Sequence, residues 1–325
     1  MENIELAGKT IIITGASSGA GRAAALEFAS YKTCLVLAAR NETALQEVAD
    51  ECRELGAEVL VVPTDVTDSK AMINLANTAN DWRGSIDVWI NNAGVLAAGD
   101  FDVTPMAVHE QVIQTNLIGY LNGAHAVLPF FKQQKRGILI NNISIGGFSP
   151  VPYGAGYTAS KFGLRGFSKA LKGELATWPD IHVCDLFPAF LDTPGIVHAG
   201  NYSGKHLRPA PPVYDPRRLA QAMVELVKNP KENTYVGSVS LLLRLSNALF
   251  PELTPKLTGF VMRKYFKVAD PIAPTSGNVF NTVDYGMSTH GTFGMPGEPK
   301  AHRKYLAGAL LMGLAAGFYL VNAKK

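Results

Sequence analysis

The amino-acid sequence predicts a doubly wound α/β fold with a mainly parallel, Rossmann-like sheet of seven strands, and two observations predict it. Short apolar runs, several rich in Ile and Val, alternate with longer amphipathic stretches over the first 240 residues. Such runs read as strands buried on both faces, and right-handed crossovers then place helices on both sides of the sheet. The second observation is a glycine-rich turn that joins the first run to the first amphipathic stretch, Thr14-Gly15-Ala16-Ser17-Ser18-Gly19-Ala20-Gly21.

Seven strands are expected, at 9–14, 34–39, 59–63, 86–91, 137–143, 182–187 and 235–240. Helices are expected between them at 22–30, 42–55, 69–82, 105–131, 157–177 and 215–227, each showing apolar residues on one face. From 199 to 216 the pattern breaks around Tyr202, Pro209, Pro211, Pro212 and Pro216. Long loops in compact α/β domains are commonly functional lids. A second irregular stretch, 269–299, is rich in Gly, Pro, Ser and Thr and reads as an extension that wraps the domain and then tethers it. The organisation expected is a single α/β domain at 1–250, whose chemistry is read below, an irregular extension at 251–302 and a C-terminal anchor at 303–325.

Composition narrows the function. With 30 Lys and Arg against 27 Asp and Glu there is no long basic surface to neutralise phosphates, which argues against a nucleic-acid partner. Cys34, Cys52 and Cys184 lie far apart without a CxxC pair, so neither a disulfide framework nor a thiolate metal site is suggested and a reducing compartment fits. His198 and His206 lack metal-ligand spacing, and no metal is expected. The N-terminus carries no apolar run of export-signal length. Near the other end, 305–323 is 19 residues without a charge, bracketed by His302-Arg303-Lys304 and Lys324-Lys325. As a helix it spans about 28 Å, close to a hydrocarbon core. It is expected to anchor the protein to a membrane with the catalytic domain on the cytoplasmic side; the alternative is a helix that pairs subunits of a homo-oligomer.

The chemistry starts at the glycine-rich turn. Gly15, Gly19 and Gly21 let backbone amides approach a pyrophosphate at the positive end of the following helix. Tyr157 and Lys161 are four apart and share a helix face, so the ammonium can sit beside the phenol and favour the phenolate. That makes Tyr157 an acid/base candidate. Ser144 stands thirteen residues earlier at the carboxyl end of a strand, where open α/β sheets place their ligands.

Taken with Asn91-Asn92-Ala93-Gly94 and Asn116, these motifs appear in an order and spacing that resembles the short-chain dehydrogenase/reductase family over residues 6 to about 240. The resemblance implies that Tyr157 exchanges a proton with the substrate oxygen and Ser144 holds that oxygen. It further implies that Lys161 binds the nicotinamide ribose and that Asn116 holds a water linking Lys161 to solvent. Asp65-Val66 would meet the adenine, Asn92-Ala93-Gly94 the adenosine ribose, and Pro188 and Thr193 the nicotinamide. Two departures stand out: Ala189 where a glycine is usual, and Ala20 where a larger aliphatic residue is usual.

Cofactor choice is read at the end of the second strand, Ala38-Ala39-Arg40. No acid is there to hold a ribose 2′-hydroxyl, and Arg40, with Arg22 and Ser17 nearby, suits a 2′-phosphate, so NADP(H) is favoured over NAD(H). Ser18 completes the phosphate turn. Val95, Leu96, Ile145, Phe148, Tyr153, Phe190 and Tyr202 are pocket candidates, and their apolar character points to a lipophilic carbonyl or secondary alcohol as substrate. A membrane-tethered NADP-binding scaffold or sensor without turnover is the alternative.

Overall fold

The computed structural model describes residues 6–291. In chain order its elements are β1 (Thr10–Thr14), α1 (Gly19–Ala29), β2 (Cys34–Ala39), α2 (Glu42–Glu54), β3 (Glu58–Pro63), α3 (Ser69–Arg83), β4 (Val88–Asn91), β5 (Ala97–Ala98) and α4 (Met106–Ile113). There follow α5 (Gly119–Gln134), β6 (Gly137–Asn142), α6 (Ala155–Glu174), β7 (Ile181–Pro188), β8 (Gly200–Asn201), α7 (Arg217–Lys228), β9 (Asn233–Val236), α8 (Ser238–Leu249) and α9 (Leu253–Val268). A π-helical turn, Gln114–Ile118, joins α4 to α5.

Seven of the strands make one parallel sheet in the order β3-β2-β1-β4-β6-β7-β9. The central strands are buried throughout, with every residue of β1 and β4 inside, whereas the edge strand β3 is partly exposed. That is why the central strands read as unbroken apolar runs. Their side chains alternate between two layers. Ile11, Ile13, Leu35, Val88 and Leu186 pack towards α1, α2 and α7. Ile12, Val36, Trp89, Leu139 and Val183 pack towards α3, α5 and α6. The strand order reverses between β1 and β4, so a crevice opens beyond the carboxyl ends of those strands, where such sheets bind ligands.

Three expectations need correcting. The last strand ends at Val236, not 240: Gly237 adopts φ +90°, and Ser240 already lies in α8, its hydroxyl donating to the Phe187 carbonyl at 2.6 Å. The stretch from 251 is not irregular throughout, because α9 occupies Leu253–Val268. On these two helices Leu241, Leu242, Leu245, Leu249, Phe260 and Val261 are exposed, so no core-facing stripe marks them. The expected single helix at 105–131 is two α-helices with a π-turn between them.

The lid region is partly ordered by pairing. β8 pairs in parallel with β5, and Asn201 bridges to Thr275. Residues 269–291 then run back across the carboxyl edge of the sheet. Among the described residues no helix is long and apolar enough to cross a membrane. The expected anchor at 303–325 lies outside the described residues.

Candidate active site

The turn after β1 is built by side chains from three strands. Gly15 and Gly19 sit at φ +66° and +55°, a region that favours glycine. A Cβ on Gly21 would lie 2.0 Å from the Gly15 carbonyl oxygen, so only glycine fits. The Thr14 hydroxyl donates to the Ile90 carbonyl and accepts from the Asn92 and Ala93 amides. The Asn92 side-chain amide donates to the carbonyls of Thr14 and Gly15 at 3.0 and 3.2 Å, and its oxygen accepts from Asn142 at 2.9 Å. The side chain expected near the ribose thus stitches the turn to the sheet. Gly94 lies against Asn116: a Cβ there would come within 3.2 Å of its side-chain oxygen.

Ser18 caps α1 without a side-chain bond, and no acid occupies the first turn, so the helix presents its amides and positive end to the crevice. Ser17 and Ala20 are half-buried beside them. Thr193 and Pro194 close over Gly19. Pro188 ends β7 next to the buried Ala189.

Ser144, Tyr157 and Lys161 come together beyond β6. Ser144 adopts φ +100°, a strained conformation for a non-glycine residue that costs on the order of 1–3 kcal/mol and is characteristic of functional sites. Its hydroxyl accepts from the Gly146 amide at 3.2 Å and hydrogen-bonds the Tyr157 phenol. The Lys161 ammonium donates to the Asn142 carbonyl at 3.3 Å and sits 5.7 Å from the centre of the Tyr157 ring. The Tyr120 hydroxyl donates to the same Asn142 carbonyl at 2.8 Å.

The charge balance differs from the sequence expectation. Burial pushes the Tyr157 phenol above its ordinary value, against the smaller, opposing effect of the Ser144 hydrogen bond. The same burial lowers Lys161 from 10.5 to about 7. In this closed site desolvation outweighs the attraction between ammonium and phenolate. A folded-state value below the unfolded one means that the unfolded chain holds an extra proton between about pH 7 and 10.5, so stability rises with pH across that window. Urea unfolding of wild type and Lys161→Met at several pH values is expected to show wild type gaining on the variant from pH 7 to 10. A constant difference would place Lys161 in water.

Asn116 lies in the π-turn and is fully buried. Its side chain accepts from the Val95 amide and donates to the Val95 carbonyl, both at 2.8 Å, and also donates to the Ser160 hydroxyl at 3.4 Å. It fastens the loop after β4 to α6. Asp65 accepts from the Thr67 amide and hydroxyl and shapes its own turn, while the Val66 carbonyl accepts from Asn122. Of the pocket candidates, Val95 and Tyr202 cluster with Tyr157, whereas Phe148 packs at a tilt against Phe187 and Tyr235, and Tyr153 meets Phe266 of α9.

The sequence marks 269–299 as a wrapping extension but not which groups it meets across the crevice. The Arg40 guanidinium donates to the carbonyls of Asn278 and Phe280 at 2.7 and 2.8 Å. Arg22 donates to the Met287 carbonyl and pairs with Glu51, and the Gly19 amide donates to the Ser288 carbonyl at 2.9 Å. Val279 is fully buried in the cluster that contains Val95 and Tyr157. His198 packs under this segment, with its ring 2.8 Å from the Tyr285 carbonyl. The donor set fits the phosphates of a dinucleotide: two guanidiniums and a helix-terminal amide face residues 278–288, each turned to an oxygen acceptor.

Comparisons with known proteins agree with this geometry. A family model described as short chain dehydrogenase matches residues 9–200. An uncharacterized oxidoreductase, YxnA, of Bacillus subtilis is 32% identical over 294 residues, 89% of this chain and 82% of that protein. Estradiol 17-beta-dehydrogenase 11 of Mus musculus is 28% identical over 249 residues, 76% of this chain and 81% of that protein. Among solved structures, an alcohol dehydrogenase from the archaeon Thermococcus sibiricus complexed with 5-hydroxy-NADP superposes with a TM-score of 0.62 at 27% identity, over 71% of this chain and 97% of that one. A metagenomic short-chain oxidoreductase in complex with NADP gives 0.62 at 28%, over 71% and 98%.

Proposed function

Because the chain belongs to the short-chain dehydrogenase family, whose fold binds a nicotinamide cofactor, and is an oxidoreductase of carbonyl and alcohol groups, we propose that it uses NADP(H) and acts on a lipophilic substrate. The observation that carries the reading is the meeting of Ser144, Tyr157 and Lys161 at one end of the crevice, with Arg40 and the α1 terminus lining the other. A bound nicotinamide would supply or accept the hydride. Tyr157 gives its phenolic proton to the carbonyl oxygen as that oxygen becomes a hydroxyl, and takes it back in the reverse direction. Ser144 donates a hydrogen bond to the same oxygen and fixes its position. Lys161 holds the ribose and, when charged, stabilises the phenolate left behind. Asn116 positions the wall of the site through Val95. Gly15, Ser17, Ser18, Gly19, Ala20 and Gly21 would hold the pyrophosphate, Asp65, Val66, Asn92, Ala93 and Gly94 the adenosine half, and Pro188 and Thr193 the nicotinamide.

A preference for NADP(H) is supported by Arg40 and by the lack of an acid at the end of β2. Arg40→Asp replaces a donor to the 2′-phosphate with a repelling charge. The ratio of NADPH to NADH affinity, measured by fluorescence titration, is expected to fall about tenfold or more. An unchanged ratio sinks the preference.

A lipophilic substrate is supported by Val95, Tyr202 and their apolar neighbours beside Tyr157. The apolar sequence 305–323 supports a membrane tether. The full chain is then expected to stay with carbonate-washed membranes, and a chain lacking 303–325 to be released. Recovery of both forms in the soluble fraction rejects the tether.

A further inference from the structure

The groups suited to hold the cofactor's phosphates already have partners on one segment, Arg22 being held by Glu51 of α2 as well. Residues 275–291 enter the crevice beside the lid, where the Asn201 amide donates to the Thr275 carbonyl at 2.7 Å. They then place the Asn278 and Phe280 carbonyls on Arg40, the Met287 carbonyl on Arg22 and the Ser288 carbonyl on the Gly19 amide. Between the first two contacts the Val279 side chain plugs the apolar cluster beside Tyr157. The far end is fastened by the Gly291 amide, 3.2 Å from an Asp192 carboxylate oxygen, and by His290, 3.2 Å from Asp215.

We propose that residues 275–291 form an autoinhibitory strap that holds the dinucleotide crevice shut and must leave it before the cofactor's phosphates can bind. The proposal rests on the NADP(H) reading above. A backbone amide has one hydrogen, so the Gly19 amide serves either the Ser288 carbonyl or a phosphate oxygen. The contacts are made by backbone carbonyls, which carry partial negative charge and imitate phosphate oxygens towards Arg22, Arg40 and the helix terminus. Two glycines at positive φ, Gly277 at +51° and Gly286 at +67°, each stand next to a residue that contacts a phosphate donor, Asn278 and Met287, and both seat on His198. A Cβ on Gly277 would lie 2.2 Å from the His198 carbonyl oxygen, so the closed seat requires glycine there.

Apparent affinity falls by the fraction of molecules that are open, so a strap closed nine-tenths of the time weakens cofactor binding about tenfold. The test uses the full chain. Val279→Asp puts a charge into the apolar cluster and unseats the strap without touching a phosphate donor. Gly277→Ala unseats it through the His198 contact, and Thr282→Ala, at an exposed position of the strap, is the control. NADPH titration is expected to give about tenfold tighter binding for both unseating variants and unchanged binding for the control. Hydrogen exchange of the wild type, which needs no variant to fold, is expected to show the amides of 277–291 losing protection when NADPH is added. Equal or weaker NADPH binding in both unseating variants overturns the strap while leaving the cofactor reading intact, and so does protection that increases with NADPH. Failure of every form to bind either NADPH or NADH overturns the cofactor reading and the strap together.

Discussion

Tyr157→Phe is expected to lower turnover of a lipophilic ketone with NADPH by about 100-fold or more, the usual scale for a positioned acid/base. The variant keeps the ring that packs against Gly146, where a Cβ would lie 2.9 Å from Tyr157 Cε1. Folding and the shape of the pocket are therefore retained, and the loss is confined to the proton. No neighbour replaces it: the Lys161 ammonium is directed at the Asn142 carbonyl, and the Ser144 hydroxyl is too weak an acid to serve near neutral pH. Steady-state kinetics over a panel of hydrophobic ketones and aldehydes checks the result. Unchanged turnover in the variant removes Tyr157 from the proton transfer, and no turnover of any substrate by the wild type favours a binding protein instead.

Gly21→Ala is expected to abolish dinucleotide binding and to destabilise the fold by about 3 kcal/mol. The added methyl would sit 2.0 Å from the Gly15 carbonyl oxygen and 2.7 Å from the Asn92 side-chain nitrogen. Both are held by hydrogen bonds between β1, β4 and β6, so neither can move without opening the turn. Gly173→Ala is the matched control. That glycine lies within α6, a Cβ there meets nothing within 4 Å, and alanine is expected to add about 1 kcal/mol of stability. Urea denaturation of both variants distinguishes steric collision from backbone entropy; equal effects would count against the collision.

The sheet was legible because its central strands are buried on both faces and therefore read as unbroken apolar runs. Tyr157 and Lys161 were legible because one helical turn joins them, and Ser144 because it follows a strand end directly. Helices α8 and α9 were not, since Leu241, Leu245, Leu249 and Phe260 face solvent and mark no buried side. The strap was hidden for another reason. Its contacts use the carbonyls of Asn278, Phe280, Met287 and Ser288, and a carbonyl is the same in every residue. The raised phenol and lowered ammonium were out of reach as well, because their cause is the burial of the site rather than the spacing of the pair.

The π-helical turn at Gln114–Ile118 bears on which changes of length this chain can absorb. A π-turn contains one residue more than the α-turn it replaces, and each helical residue rotates its successors by about 100°. Upstream, His109 of α4 lies against Gly156, where a Cβ would come within 3.0 Å; downstream, Gly119 lies against Val66 and Gly123 against Asn91, where a Cβ would come within 2.7 and 2.3 Å. The extra residue keeps both contact faces in phase. Removing one residue between 114 and 118 lets the rod continue as α-helix but turns one of those faces away from its partner. Single-residue deletions here are therefore far more damaging than most substitutions, and a sequence that loses the bulge must regain its phase by an insertion nearby.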